Sequence, residues 1–428
     1  MLLAIILVTL IVLIMLRVPV AFSILGTGFL GLVLLGGLGH ALPILETAPA
    51  TAVRNSSLSA ISLFMLMAQF MLMSGLLDSL FDAARSLVGR IPGGTGVASV
   101  GAGTAFAAVS GSSTAAAATL AQTSTKRMLS EGYQQTVASG LVASVGTLAA
   151  MIPPSIILVF YAITAEASVG DVLVAGFFPG LLIAIAMVAT MYVGMAFQKG
   201  AVPAGQRSTW AEKWKSLWHA SPLLFIFVAV VGSIFLGIAT PTEAAALGAL
   251  VALILVVARG RFTTQKFLVA VAETVKSTAM ILAIVMAAHV LGHFLTETRT
   301  APKLVQAIED SAMPALLVMV LIAAFYVLLG FFMDQVAIIA LTVPIVLPVV
   351  EELGYDAVWF GIFMILLAEV GMITPPMGLN VFVVSKSSGI PAVVVFRGAF
   401  PYVVVMLLMA MVFLLWPGLV MWVPNLMG

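Results

Sequence analysis

Ten long apolar stretches divide this chain, near residues 2–16, 18–38, 56–77, 136–163, 172–197, 221–238, 242–258, 272–296, 357–385 and 398–416. A backbone in hydrocarbon must satisfy its own N–H and C=O groups, so such stretches fold only as helices or as strands of a closed barrel. Barrel strands need only about 9–11 residues, which leaves the helical solution: an all-α polytopic membrane protein. The balance of residue types agrees, since 62% are apolar and 8% charged, against about 25% charged in a soluble domain. Residues 2–16 lack the basic flank of a signal peptide, and Arg17 is followed at once by a second apolar stretch, so both are read as retained helices. A formal net charge of +1 offers no field for nucleic acid, and the absence of cysteine excludes disulfides and thiolate chemistry.

Two further apolar segments do not read as single crossings. Residues 95–122 are small and polar-interrupted, and residues 314–347 carry Asp334 in the middle and two prolines later. Each is long enough to enter the membrane and return as a re-entrant hairpin. Amphipathic segments 78–91 and 297–312 precede them and are expected to lie along the surface. With the hairpins re-entrant and both termini periplasmic, fifteen of the eighteen Lys and Arg fall on the cytoplasmic side, Arg54, Arg299 and Lys303 being the exceptions.

The chain also repeats itself. A shift of 222 residues aligns, without gaps, Pro19 with Pro241, Gly26 with Gly248, Pro92 with Pro314, Gly132-Tyr133 with Gly354-Tyr355, Pro153-Pro154 with Pro375-Pro376, and Pro179 with Pro401. Five crossings separate equivalent positions, so the second copy is inverted in the membrane. Inverted repeats let secondary transporters present one midplane site alternately to two sides.

Within this frame a few residues can carry chemistry. Each Pro-Pro pair removes two N–H groups, which frees the carbonyls of Ala149 and Ala150 in the first repeat and of Gly371 and Met372 in the second. Freed oxygens in hydrocarbon suit a dehydrated cation such as Na⁺. The first hairpin has its tip at Ser110-Gly111-Ser112-Ser113, where glycine permits reversal and hydroxyls cap the returning helix or ligate. That helix's N-terminus favours an anion. Asp334, at the matching tip, is a functional candidate by its depth alone: it can ligate Na⁺, take a proton, or bind a substrate hydroxyl. Glu369 is the next intramembrane acid. Glu243, in Thr240-Pro241-Thr242-Glu243, reads as a helix cap, and His289 and His293 share a face without a third ligand. Asn380 can donate to a substrate carboxylate or hold the unwound backbone.

The runs SGSSTAAAATLAQ, GYQQTVASGLVASVGTLAAMIPPS, GIATPTEAAALGAL, MDQVAIIALTVPIVLPVVEELGYDAVWFGI and EVGMITPPMGLNVFVV together resemble the large membrane subunit of tripartite ATP-independent periplasmic (TRAP) transporters over nearly the whole chain. The resemblance implies a Na⁺-driven, elevator-type importer of organic acids, of the C4-dicarboxylate or sialic acid class, in the bacterial inner membrane. It also implies a small membrane subunit and a periplasmic substrate-binding protein as partners, with this chain as the large subunit alone. Carried over by position, one Na⁺ site would use Ser110, Ser113, Gly146 and Ala149, and the other Gly330, Gly371, Thr374 and Met377. Substrate would lie near Ser112, Asp334 and Asn380. The chain departs from the family pattern at Gln335, where proline is frequent, and in Asn55-Ser56-Ser57-Leu58-Ser59.

Residues 1–54 and 207–265 are expected to form the scaffold, and 55–206 and 266–428, with their hairpins, the moving transport domain. A binding-protein-independent symporter for divalent anions shares this architecture and is the nearest alternative. An intramembrane hydrolase is disfavoured, because there is no G-x-S-x-G nucleophile elbow and a single hairpin aspartate makes no catalytic dyad.

Overall fold

The structure is a computed structural model that describes residues 2–16, 18–54, 57–88, 91–197, 209–311 and 313–426. Arg17, Asn55, Ser56, Arg90, Lys199 and Arg207, all used in the reading above, lie outside the described residues. The first half runs α1 (Leu2–Met15), α2 (Val20–Gly36), α3 (Leu38–Arg54), α4 (Ser57–Ser74), α5 (Leu76–Val88), α6 (Gly94–Ser110), α7 (Ser113–Leu120), a π-turn, α8 (Lys126–Ser130), α9 (Gln135–Gly146), a 3₁₀ turn, α10 (Ile156–Thr164) and α11 (Val169–Phe197). The second half runs α12 (Trp210–Phe235), α13 (Pro241–Ala258), α14 (Thr264–Glu297), α15 (Thr300–Asp310), α16 (Ala315–Phe332), α17 (Gln335–Glu352), α18 (Ala357–Met372), α19 (Leu379–Ser388) and α20 (Ala392–Leu415). Among the described residues seven helices are individually long and apolar enough to cross a membrane, and α3 with α4 forms a further bent pair.

The 222-residue offset maps element on element. Shifted by it, α6 (94–110) becomes 316–332 and meets α16, and the stretch from α7 to α8 (113–130) becomes 335–352, the bounds of α17. Likewise α9 with its 3₁₀ turn corresponds to α18, α10 to α19, and α11 to α20. Packing follows the same exchange: α4 lies on α13 while α14 lies on α2, and α9 lies on α20 while α11 lies on α18. Reciprocal contacts of this kind are those of a pseudo-two-fold relation between the halves.

The amphipathic segments form α5 and α15, close to the expected bounds. Residues 38–54, which lie between the apolar stretches named above, form a helix. With α4 it is the counterpart of the single 34-residue α14, and the pair differs from α14 by a 57° bend. The helices α4 and α14 were grouped above with the hairpins, but their packing joins them to α13 and α2.

Charges gather where hairpin 1 begins and ends. Arg85 on α5 pairs with Glu131 at 2.6 Å, and Arg127 at the end of the returning leg pairs with Asp82. Thr95 also hydrogen-bonds Glu131. Nearby, the Arg261 guanidinium lies over Gly75, and Arg259 donates to the carbonyl of His219 at 2.9 Å. At the far end of α14 the pair is His40 with Glu297 at 2.9 Å. Glu243 makes a capping box with Thr240 at the start of α13, as the sequence indicates.

Candidate functional site

The returning helix of each hairpin is capped in the same way, although the turn before it differs: Gly111 is left-handed, whereas its counterpart Met333 is extended. At the first tip α6 ends on Ser110, Gly111 takes φ +57°, and Ser112 caps α7, its Oγ accepting the Ala115 N–H at 3.4 Å. A Cβ on Gly111 would lie 3.1 Å from the backbone N of Ile156, so the turn needs glycine for conformation and for space. At the second tip Asp334 caps α17, its Oδ1 accepting the Ala337 N–H at 2.9 Å. Ser112 and Asp334, like Ala115 and Ala337, are 222 positions apart. The repeat therefore places a neutral cap on one tip and an acidic cap on the other.

The two tips face one cavity of about 390 Å³. Ser110, Ser112 and Ser113 line it from hairpin 1 and Asp334 and Gln335 from hairpin 2, while Gln69 on α4 and Glu273, Thr274 and Ser277 on α14 close the opposite wall. Two helix N-termini thus converge on it, and their unpaired N–H groups and dipoles favour an anion there. Sequence reasoning missed the opposite wall. Glu273, Thr274 and Ser277 share one helical face, a pattern that is detectable only once it is known which face of α14 meets the hairpins.

Behind the tips lie the two breaks. The Pro153-Pro154 and Pro375-Pro376 bonds are both cis. Of the four carbonyls freed by proline, Ala150 accepts the Ser155 hydroxyl at 2.7 Å and Gly371 accepts the Thr374 N–H at 3.0 Å. The carbonyls of Ala149 and Met372 receive no donor among the described residues. Local groups therefore satisfy one oxygen of each pair and leave the other.

The elements that carry the residues assigned to the first cation position pack together. The α7 helix packs on α9 and the following turn so closely that a Cβ on Gly146 would lie 2.7 Å from that of Ala117. Ser110 and Ser113 are buried at the tip above them, and the Ser110 hydroxyl has no hydrogen-bond partner among the described residues. In the second position Gly330 and Gly371 meet backbone to backbone: a Cβ on Gly371 would lie 2.5 Å from the Gly330 Cα. Thr374 donates its hydroxyl to the Val370 carbonyl at 2.6 Å, and the Met377 side chain is exposed. The first position thus combines a buried, unpartnered hydroxyl with a free carbonyl, a donor set suited to a hard monovalent cation.

Asn380 is not on the cavity wall. It is fully buried, and its Nδ2 donates to Oε2 of Glu369 at 3.4 Å. The Glu369 carboxyl, also fully buried, is approached by the side chains of Ser113 and Gln335 as well. Glu369 thus sits where both hairpins and α19 meet, a position its sequence neighbourhood did not disclose. A second cavity, about 650 Å³, lies farther along α14, lined by His289, His293, Glu166, Pro302 and Pro344. Among the described residues no three His, Cys, Asp or Glu side chains assemble into a metal cluster.

An all-helical, apolar chain with two opposed hairpin tips around one polar cavity is a multi-pass membrane permease. The sequence matches the DctM component of tripartite ATP-independent periplasmic transporters over residues 7–419. It is 32% identical over 408 residues to the C4-dicarboxylate TRAP transporter large permease protein DctM of Pseudomonas aeruginosa, covering 92% of this chain and 94% of that one. It is also 32% identical to the sialic acid TRAP transporter large permease protein SiaM of Vibrio cholerae, covering 95% of each, and 29% identical to the ectoine/5-hydroxyectoine large permease UehC of Ruegeria pomeroyi, covering 98% and 97%. Among solved structures the YdaH transporter of Alcanivorax borkumensis superposes with a TM-score of 0.65 over 95% of this chain and 98% of that one, at 16% identity, which establishes a shared fold. This chain belongs to the TRAP transporter large-permease family.

Proposed function

We propose that this permease imports an organic acid, of the C4-dicarboxylate or sialic acid class, across the bacterial inner membrane, driven by Na⁺. The observation that carries the reading is the cavity between the tips, where two helix N-termini and the caps Ser112 and Asp334 converge beside two sets of candidate cation ligands. Na⁺ at Ser110, Ser113, Gly146 and Ala149, and at Gly330, Gly371, Thr374 and Met377, orders the tips. Ordered tips then bind the substrate near Ser112 and Asp334, with Asn380 held behind them, so sodium and substrate affinities rise together by linkage.

The helices α1–α4 and α12–α14 form the frame in this account, and α6–α11 with α16–α20 move against it as the elevator. This division follows the packing of α4 on α13 and of α14 on α2. It moves the boundaries expected from sequence so that α4 and α14 stay with the frame. The arms α5 and α15 connect the two parts. Both termini are periplasmic, a periplasmic binding protein delivers the substrate, and a small membrane subunit completes the permease.

Uptake of radiolabelled organic acids into proteoliposomes under an inward Na⁺ gradient tests this, comparing the chain alone with the chain plus small subunit and binding protein. Sodium-dependent uptake by the complete set only is the expected result. Uptake by this chain alone would assign it to the autonomous symporters instead.

A further inference from the structure

Glu369 is fully buried on α18, and none of the described ion pairs includes it. Its Oε2 accepts from Asn380, while its Oε1 and the Oδ1 of Asn380 have no hydrogen-bond partner among the described residues. The other two side chains at this carboxyl, Ser113 and Gln335, are the first residues of α7 and α17. They are 222 positions apart, so they hold the same place in the two repeats. One carboxyl therefore lies beside the equivalent residue of both tips, and Gln335 is also tied to α18 by its Nε2, which donates to the Ile365 carbonyl at 3.5 Å. The repeat offers no second such group: the counterpart of Glu369 is Thr147, whose hydroxyl is engaged with the Ser144 carbonyl at 2.5 Å.

A serine hydroxyl that donates its hydrogen in one direction presents its lone pairs in another. A Ser113 hydroxyl that gives its hydrogen to Glu369 keeps its lone pairs free for a cation at the first candidate position. Glu369 also precedes Gly371 by two residues, and Gly371 lies against Gly330 of the second hairpin. An outer carboxylate that orients ligands in this way commonly changes metal affinity by about 10–100-fold when removed.

We propose that Glu369 is the positioning residue that couples the two hairpin tips, so that occupation of one cation position prepares the other. The proposal rests on the sodium-driven reading above. It makes Na⁺ binding cooperative through a carboxyl that touches neither the transported acid nor, directly, the ion. The hydrogen-bond acceptor matters here, and the negative charge is secondary.

The test uses the purified permease with its partners, Glu369→Ala and Glu369→Gln, and two Na⁺ titrations: uptake, and thermal stabilisation without substrate. Wild type is expected to respond with a Hill coefficient above one. Glu369→Ala should raise the half-saturating Na⁺ concentration roughly tenfold and bring the Hill coefficient to about one. Glu369→Gln keeps a carbonyl acceptor and should retain cooperativity. Because Glu369→Ala leaves buried partners unpaired and can fail to fold, Gln335→Ala is measured alongside it and should also lower the Hill coefficient. Unchanged Na⁺ dependence in Glu369→Ala or Gln335→Ala would overturn the coupling role, as would Glu369→Gln being as severe as Glu369→Ala, which would mean that the charge meets the ion. Sodium-independent uptake by wild type would instead remove the sodium-driven reading, and this proposal with it.

Discussion

Gly330 and Gly371 lie in backbone contact: a Cβ on Gly330 would sit 2.9 Å from the Cα of Gly371 and 2.4 Å from the Ala368 carbonyl oxygen. Neither glycine has an unusual φ, so the requirement is for space. The contact presses the outgoing leg of hairpin 2 against the helix that ends at the second proline break, beside the carbonyls that a cation would use.

Gly330→Ala and Gly371→Ala should therefore part hairpin 2 from α18. Overpacking of this kind costs about 1–3 kcal/mol. Thermal melts of the purified protein should show the loss without Na⁺, and stabilisation by added Na⁺ should shrink further. An alanine at either position with a wild-type melt would show that the helices can separate freely there.

Ser110 buries a hydroxyl that has no hydrogen-bond partner among the described residues. A buried polar group without a partner costs about 1–3 kcal/mol, so Ser110→Ala is expected to be neutral or stabilising in Na⁺-free buffer. The same change should raise the half-saturating Na⁺ concentration for uptake about tenfold if the hydroxyl serves the ion. A destabilised Na⁺-free protein with unaltered Na⁺ dependence would contradict the assignment.

At the second tip, capping and function separate by substitution. Asparagine caps a helix about as well as aspartate, whereas alanine loses about 1 kcal/mol. Asp334→Asn should keep the melting temperature while lowering transport at least tenfold, and Asp334→Ala should lower both. Transport that survives Asp334→Asn would reduce Asp334 to a helix cap.

Much of this architecture is legible from the chain because repeats and proline pairs are local signals. The offset that pairs Pro153-Pro154 with Pro375-Pro376 also pairs the caps Ser112 and Asp334, and the structure confirms the correspondence helix by helix. Other features escaped. Residues 38–54 carry Pro43 and Pro49, which disguise a helix held by its packing on α2 and α14. Glu369 and Ser113 are far apart in sequence, and no periodicity brings Gln69, Glu273 and Ser277 to the hairpin tips. Their meeting depends on how the two repeats interlock, which only the fold reveals.

Hairpins that move against the frame carry their tips along α14, and the chain has no cysteine to confuse a cross-link that tests this. Thr114 at the first tip and Ser277 on α14 line the same cavity in this structure, whereas His289 lines the other. Twelve helical residues separate Ser277 from His289, about 18 Å of travel. Thr114→Cys is combined in turn with Ser277→Cys and with His289→Cys, and each pair is treated with a short thiol cross-linker in membranes. The account predicts that both pairs link, each trapping one state and each abolishing uptake. Linking of the Ser277→Cys pair alone, under every Na⁺ and substrate condition and with transport intact before treatment, would contradict movement of the hairpins along the frame.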